Sequence, residues 1–211
     1  MNTILYRNLA NAIVVARVIL IFIVIALFES PSSVSRMMAL GLLVIAALSD
    51  WFDGYVAEKC KIVTVVGGMM DTLGDRLTEN LLFIFFACKQ AIPVYVPLFF
   101  VTRSFLADFI RSLNFQKGMT TFGFHASVWG KRLVSSRTSR ALYLCMKFTV
   151  FLLAAFWLMA CSMETVFTTE LTEKVREAAG LLALAAVIFS FVRFVLLVFD
   201  SREALRESFG K

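Results

Sequence analysis

Histidine is almost missing from this chain: His125 is the one imidazole in 211 residues. A metal centre built on histidines is therefore out of reach. Cysteine is scarce and scattered, with Cys60, Cys88, Cys145 and Cys161 showing no C-x-x-C spacing. Disulfide and zinc frameworks lose their footing, and the four read as small apolar packing residues. Charge is thin as well, at 17% Asp, Glu, Lys and Arg, where a soluble domain carries about a quarter. Period-two alternation, the mark of a membrane barrel, is lacking, as are internal repeats, low-complexity tracts and a second domain. Without a domain outside the apolar runs, no basic face is left for nucleic acid.

What the chain has is apolar length. It is 60% hydrophobic with 22 Phe and a mean hydropathy of +0.82. Six runs, near 10–29, 35–57, 62–88, 92–114, 140–163 and 178–199, approach or exceed the roughly 20 residues that cross a bilayer as helix. With no water to pair the backbone, helices are the spanning structure left. The expectation is an all-α integral membrane bundle of six transmembrane helices, with room for a short interfacial helix at the N-terminus, forming one domain over 1–211. Pro31 falls in the first loop, and Pro93 and Pro97 open the fourth segment, where proline is tolerated. The first run is too long for a cleavable signal core and lacks a small-residue cleavage site. The stretch 115–140 reads as a loop or interfacial helix.

Basic residues orient the bundle. Arg7, Lys59, Lys61, Arg111, Lys117, Lys131, Arg132, Arg137, Arg140, Arg202, Arg206 and Lys211 fall on one side. The opposite turns hold Arg36, Lys89, Lys174 and Arg176, the last two beside Glu170, Glu173 and Glu177. Both termini are thus expected in the cytoplasm. The net charge of +6 largely reflects this asymmetry, and anionic membrane lipids can use it.

Against that background, "SDWFDGYVAEKCKIVTVVGGMMDTLGDRLTEN" places Asp50, Asp53, Asp71 and Asp75 in apolar surroundings, and an ionisable residue there is by default a functional hypothesis. Asp50 and Asp53 are three apart and Asp71 and Asp75 four apart, so each pair lines one helix face. Gly54, Ala57 and Gly67 supply small residues that let membrane helices approach closely. A polar turn at Glu58–Lys61 makes the two segments antiparallel neighbours, so their acidic faces can meet in one cytoplasmic cavity. Four unpaired carboxylates there would repel one another. Hard divalent cations answer that, Mg²⁺ being commonly held by carboxylates plus substrate phosphates. Two other readings stay open on spacing alone: structural pairing with Arg17, Arg76 or Arg103, and a cation pathway through a transporter.

The pattern goes beyond spacing. Asp50, Asp53, Gly54, Ala57, Gly67, Asp71 and Asp75 fill D-x2-D-G-x2-A-R-x8-G-x3-D-x3-D with every gap correct. This resembles the signature of the CDP-alcohol phosphotransferase family, whose six-helix layout also matches. One position departs: the Arg after Ala57 is Glu58. Other segments resemble the bacterial phosphatidylglycerophosphate synthase branch. "NAIVVARVILI" keeps Asn11 and Arg17 of an N-x2-T-x2-R helix, with Val14 for Thr. "RSFLADFIR" keeps Arg103 and Arg111, and "SVWGKRLVSSR" keeps Ser127, Gly130 and Lys131 before diverging at Leu133 and Val134.

The resemblance implies a reaction. A CDP-linked lipid, CDP-diacylglycerol, would donate a phosphatidyl group to a small polar acceptor and release CMP. Asp50, Asp53, Asp71 and Asp75 would hold two Mg²⁺ or Mn²⁺ ions, with Asp75 also the general base. Asn11, Gly54, Ala57, Glu58, Thr64 and Gly67 would line the CDP-lipid site, with Glu58 reversing the charge expected there. Arg103, Arg111 and Lys131 would bind an anionic acceptor, glycerol 3-phosphate first among candidates; the divergence at Leu133 and Val134 keeps serine, inositol and inositol phosphate in play. A degenerate, non-catalytic member is the remaining alternative. Dimers are common in the family, and a Phe-rich lipid-facing surface is compatible with a homodimer. The implied location is a bacterial cytoplasmic membrane, with the site on the cytoplasmic side.

Overall fold

The structure, a computed structural model, describes residues 2–60, 65–116, 136–163, 165–202 and 206. Among them stand six helices and no strand: α1 Asn2–Glu29, α2 Ser33–Cys60, α3 Val65–Cys88, α4 Tyr95–Gln116, α5 Arg137–Ala160 and α6 Thr169–Asp200. Two of these, α5 from Thr138 and the whole of α6, are long and apolar enough to cross a membrane by length and composition.

Helix ends depart from the apolar runs in instructive ways. α1 runs unbroken from Asn2 to Glu29, taking in the stretch where a separate short interfacial helix was expected; residues 2–29 contain neither Gly nor Pro to interrupt the ladder. α6 starts nine residues before its apolar run, at Thr169. Thr168 Oγ1 accepts from the Leu171 amide at 3.4 Å as N-cap, and Glu170 stands in the first turn, the end favoured by the helix dipole. Lys174–Glu170 and Arg176–Glu173 pairs at i,i+4 and i,i+3 carry the polar turns. α2 continues to Cys60, so Glu58 belongs to its last turn instead of a loop. Ser136 caps α5, accepting from the Ser139 amide at 3.1 Å. Of the stretch 115–140, read as a loop or interfacial helix, residues 115–116 belong to α4 and 137–140 to α5, while 117–135 lie outside the described residues.

The chain forms two compact units: Met1–Pro93 with Phe151–Ala179, and Val94–Val150 with Gly180–Lys211. In the first, α1 packs on α2 and α3. Arg17 meets Asp75, and Glu29 meets Lys89, with separations of 58 and 60 residues. Offsets this close, with both partners advancing together, mean that α1 and α3 run parallel. Their seam is aromatic at one end, where Phe28 lies 6.1 Å from Phe86 and 6.0 Å from Phe85. Phe151 of α5 joins it, 4.6 Å from Phe83. Nearer the N-terminus the seam is tight: a Cβ on Gly74 would collide with Val14 Cγ1. Arg36 donates to the carbonyls of Ser30 and Leu158, each at 3.1 Å, satisfying an acceptor that the end of α5 leaves open. α3 ends in a Schellman motif: the Ala91 amide reaches Phe86 O and the Gln90 amide reaches Ala87 O, both at 2.9 Å. Gln90 takes the left-handed position with φ 62°, where glycine is usual.

In the second unit Ala107, Ile110 and Leu197 form a buried cluster flanked by Phe194 and Val198. Phe99 of α4 lies 6.4 Å from Phe191 of α6.

Candidate active site

The acidic residues fall on consecutive helices, Asp50 and Asp53 on α2 and Asp71 and Asp75 on α3. Gly54, Ala57 and Glu58 are on α2, Gly67 on α3, Asn11 on α1 and Arg111 on α4. The side chains of Asn11, Asp50, Asp53, Ala57, Glu58, Asp71 and Arg111 lie outside the described set, as do Thr64, Ser127, Gly130 and Lys131 entirely. Among the described residues no group of three or more His, Cys, Asp or Glu converges.

Asp75 is described. Its Oδ1 accepts a hydrogen bond from an Arg17 guanidinium nitrogen at 2.7 Å, with Arg17 8% exposed and Asp75 51% exposed. A guanidinium sunk among apolar helices needs a counter-charge, and the parallel α1–α3 register brings Asp75 to it. The structural pairing left open by the sequence is thus realised for Asp75 with Arg17. The carboxylate itself stays half exposed.

The second unit holds a different polar centre. Arg103 of α4, Tyr143 and Lys147 of α5 and Arg193 of α6 are all buried. Lys147 Nζ sits 4.3 Å, Arg193 Cζ 5.2 Å and Arg103 Cζ 6.0 Å from the centroid of the Tyr143 ring, within cation–π range. Tyr143 Oη shares a hydrogen bond with Ser190 Oγ at 2.9 Å, and Arg193 donates to Ser139 Oγ at 2.8 Å. Arg103 Nε is buried and makes no hydrogen bond. The positive charges of Arg103 and Arg140 act on Arg193. The three basic side chains thus cluster around one buried tyrosine ring.

Of the basic residues singled out by sequence, Arg103 belongs to this centre. Lys147, Arg193 and Tyr143 were missed. The first two carried a readable signal, being cations inside apolar runs; the spacing 139, 143, 147 along one face of α5 was readable too.

Residues 7–201 match the family model described as CDP-alcohol phosphatidyltransferase. A Rickettsia typhi protein named CDP-diacylglycerol--glycerol-3-phosphate 3-phosphatidyltransferase is 33% identical over 105 residues, 50% of this chain and 59% of its own length. A Pseudomonas fluorescens protein of the same name is 28% identical over 135 residues, 62% of this chain and 68% of its own. A Bacillus subtilis namesake is 28% identical over 116 residues, 49% of this chain and 60% of its own. The chain spans about three fifths of the Rickettsia typhi relative's length, 59%.

Proposed function

Because this chain belongs to the CDP-alcohol phosphatidyltransferase family, we propose that it moves the phosphatidyl group of CDP-diacylglycerol onto the hydroxyl of glycerol 3-phosphate, releasing CMP. The names of the relatives favour this acceptor, and so does the cationic centre at Arg103, because a phosphate-bearing acceptor needs a counter-charge. The observation that carries the reading is the seven-position acid and glycine pattern, set on the consecutive helices α2 and α3.

The donor set fits a divalent cation: Asp50, Asp53, Asp71 and Asp75 are hard oxygen ligands on two helices, and Asp75 offers a half-exposed carboxylate of the kind Mg²⁺ and Mn²⁺ take. Asp50, Asp53, Asp71 and Asp75 would hold two such ions. Bound ions supply neutralisation of the pyrophosphate and of the charge on departing CMP. Asp75 takes the proton of the acceptor hydroxyl as that oxygen bonds to the lipid-linked phosphorus and the bond to CMP breaks. Arg17 fixes the carboxylate's direction. Gly54, Ala57 and Gly67 give the lipid's head group close access to backbone, with Asn11, Glu58 and Thr64 alongside. Arg103, with Arg193 beside it, receives the acceptor's phosphate, and Arg111 and Lys131 guide it in from the cytoplasm. The whole chain acts as one domain of six membrane-spanning helices in a bacterial cytoplasmic membrane, termini and site facing the cytoplasm.

The test is purified chain in detergent with CDP-diacylglycerol, Mg²⁺ or Mn²⁺, and labelled glycerol 3-phosphate, serine, inositol and inositol phosphate. CMP release with glycerol 3-phosphate, stopped by EDTA and restored by the metal, is the expected result. Product from a neutral acceptor and none from glycerol 3-phosphate would refute the acceptor. Divalent-ion flux in liposomes without CMP release would refute the enzyme.

A further inference from the structure

We propose that the Thr78 hydroxyl donates to an ester carbonyl of the lipid donor, and so makes this chain select diacyl over dialkyl glycerol lipids. The inference rests on the CDP-linked lipid assigned above and extends it to a residue outside the acid and glycine pattern.

A hydroxyl inside a helix has a ready acceptor, a backbone carbonyl one turn back. This chain uses that acceptor repeatedly. Thr149 Oγ1 donates to Cys145 O, Thr172 Oγ1 to Thr169 O and Ser112 Oγ to Phe109 O, each at 2.8 Å. Thr78, well inside α3, does not. Its Oγ1 is buried and makes no hydrogen bond, although Gly74 stands four residues back. A donor left orphaned away from water is costly unless something fills it.

The position says what could fill it. Thr78 comes three residues after Asp75 and seven after Asp71, which puts it within about 60° of both positions around the helix axis. It also stands about 4.5 Å further along α3 than Asp75. In the reading above, α3 enters from the cytoplasmic end at Val65 and the lipid-linked phosphorus lies at the acids. The esters of a glycerol lipid join its phosphate to its chains, so they fall on the membrane side of that phosphorus, where Thr78 is. An ester carbonyl accepts hydrogen bonds and cannot donate, and in a dry site its natural partner is an uncharged donor. Thr78 is only partly covered, and a helical threonine has two χ1 wells to choose from. Turning its hydroxyl to a ligand therefore breaks no hydrogen bond and moves no backbone.

The test sets the full chain, in micelles free of other lipid, against CDP-diacylglycerol and its diether analogue, which replaces each ester carbonyl by a methylene. For the wild type, Thr78→Ser, Thr78→Val and Thr78→Ala, KM and kcat are measured with each lipid. Kd for each lipid is read by calorimetry without acceptor, and SDS unfolding checks that each variant is folded. The wild type should bind the diester about two- to tenfold more tightly than the diether, the worth of one neutral hydrogen bond. Thr78→Ser should keep that ratio. Thr78→Val should bring it to about one by weakening the diester alone, with the diether Kd held within about twofold; Thr78→Ala gives the same reading if the valine variant does not fold. Equal affinity of the wild type for both lipids overturns the proposal with no variant needed. So does a ratio that survives Thr78→Val, and so does a parallel loss for both lipids, which means a packing role only. If neither lipid releases CMP, the proposed reaction fails, while the ratio of Kd values still decides Thr78; binding of neither lipid overturns both.

Discussion

Adding one methyl at Gly74 tests the seam on which the acidic helix is seated. A Cβ there would collide with Val14 Cγ1, and Val14 is buried. Valine in a helix holds one χ1 well, so its methyl cannot swing aside cheaply. Forcing an extra methyl into a packed site costs about 1–3 kcal/mol. Against this, Gly→Ala inside a helix gains about 0.5–1 kcal/mol from lost backbone freedom in the unfolded chain. The net for Gly74→Ala is a destabilisation of up to roughly 2 kcal/mol. The sharper quantity is the coupling. With Val14→Ala the obstructing methyl is gone, so Gly74→Ala in that background should stabilise by about 0.5–1 kcal/mol. The two changes should therefore be coupled by about 1–3 kcal/mol. Unfolding of the four proteins by SDS, followed by tryptophan fluorescence in mixed micelles, measures the cycle. Additivity within about 0.5 kcal/mol, with Gly74→Ala as stable as the wild type, would refute the close approach of α1 and α3.

Asp71→Asn should raise the half-saturating Mg²⁺ concentration at least tenfold, since outer-shell partners alone are worth about 10–100-fold in metal affinity; a metal titration of CMP release reads it. Asp75→Asn should lower kcat by about 10²–10⁴, the range of general acid–base catalysis, with KM for CDP-diacylglycerol changed far less; near-normal kcat removes Asp75 from the base role. Gln90→Gly should stabilise the protein by roughly 0.5–1 kcal/mol, because a side chain in the left-handed region costs about 1–2 kcal/mol and glycine returns part of that as backbone entropy; thermal unfolding checks it. Glu58→Arg, restoring the charge of the signature, should lower KM for CDP-diacylglycerol; loss of activity in folded protein would instead mean that Glu58 serves another role.

The acids stand out in the sequence because a carboxylate in an apolar run is costly; of the four, Asp75 is the one whose side chain is described, and it pairs with Arg17. Helix existence was legible from the apolar runs, and two of the six helices are long and apolar enough to cross a membrane. The ends were less so. Hydropathy stops where the apolar residues stop, at about 178 for the last run, whereas α6 begins at Thr169. The intervening turns are held by a threonine cap and Glu–Lys and Glu–Arg pairs that hydropathy counts as loop. The spacing of Tyr143 was legible, but what meets on it was not. One tyrosine in a chain with 14% aromatics carries no mark of three cations from α4, α5 and α6 meeting on its ring. That is a tertiary fact, set by which faces of three helices turn inward.

The departure at position 14 now has a physical reading that the one at 58 lacks. Val14 stands where the related branch carries Thr, one turn before Arg17, and Gly74 stands one residue before Asp75. A close approach of α1 and α3 therefore lies beside the ion pair at 2.7 Å. A one-residue slip of α1 would turn Arg17 about 100° around its axis and leave a buried guanidinium without the carboxylate that it holds. Helix packing sets that register twice: by the missing side chain of Gly74 next to the pair, and by Phe28 against Phe85 and Phe86 some three turns further on. A methyl or a hydroxyl on residue 14 matters little to the acid's chemistry, because neither contributes charge; its bulk against Gly74 matters to where Arg17 points. Residue 14 is thus a packing position, and an effect of its variants on activity is expected to travel through Arg17. Variants there should shift kcat only in proportion to how far they displace the Arg17–Asp75 pair.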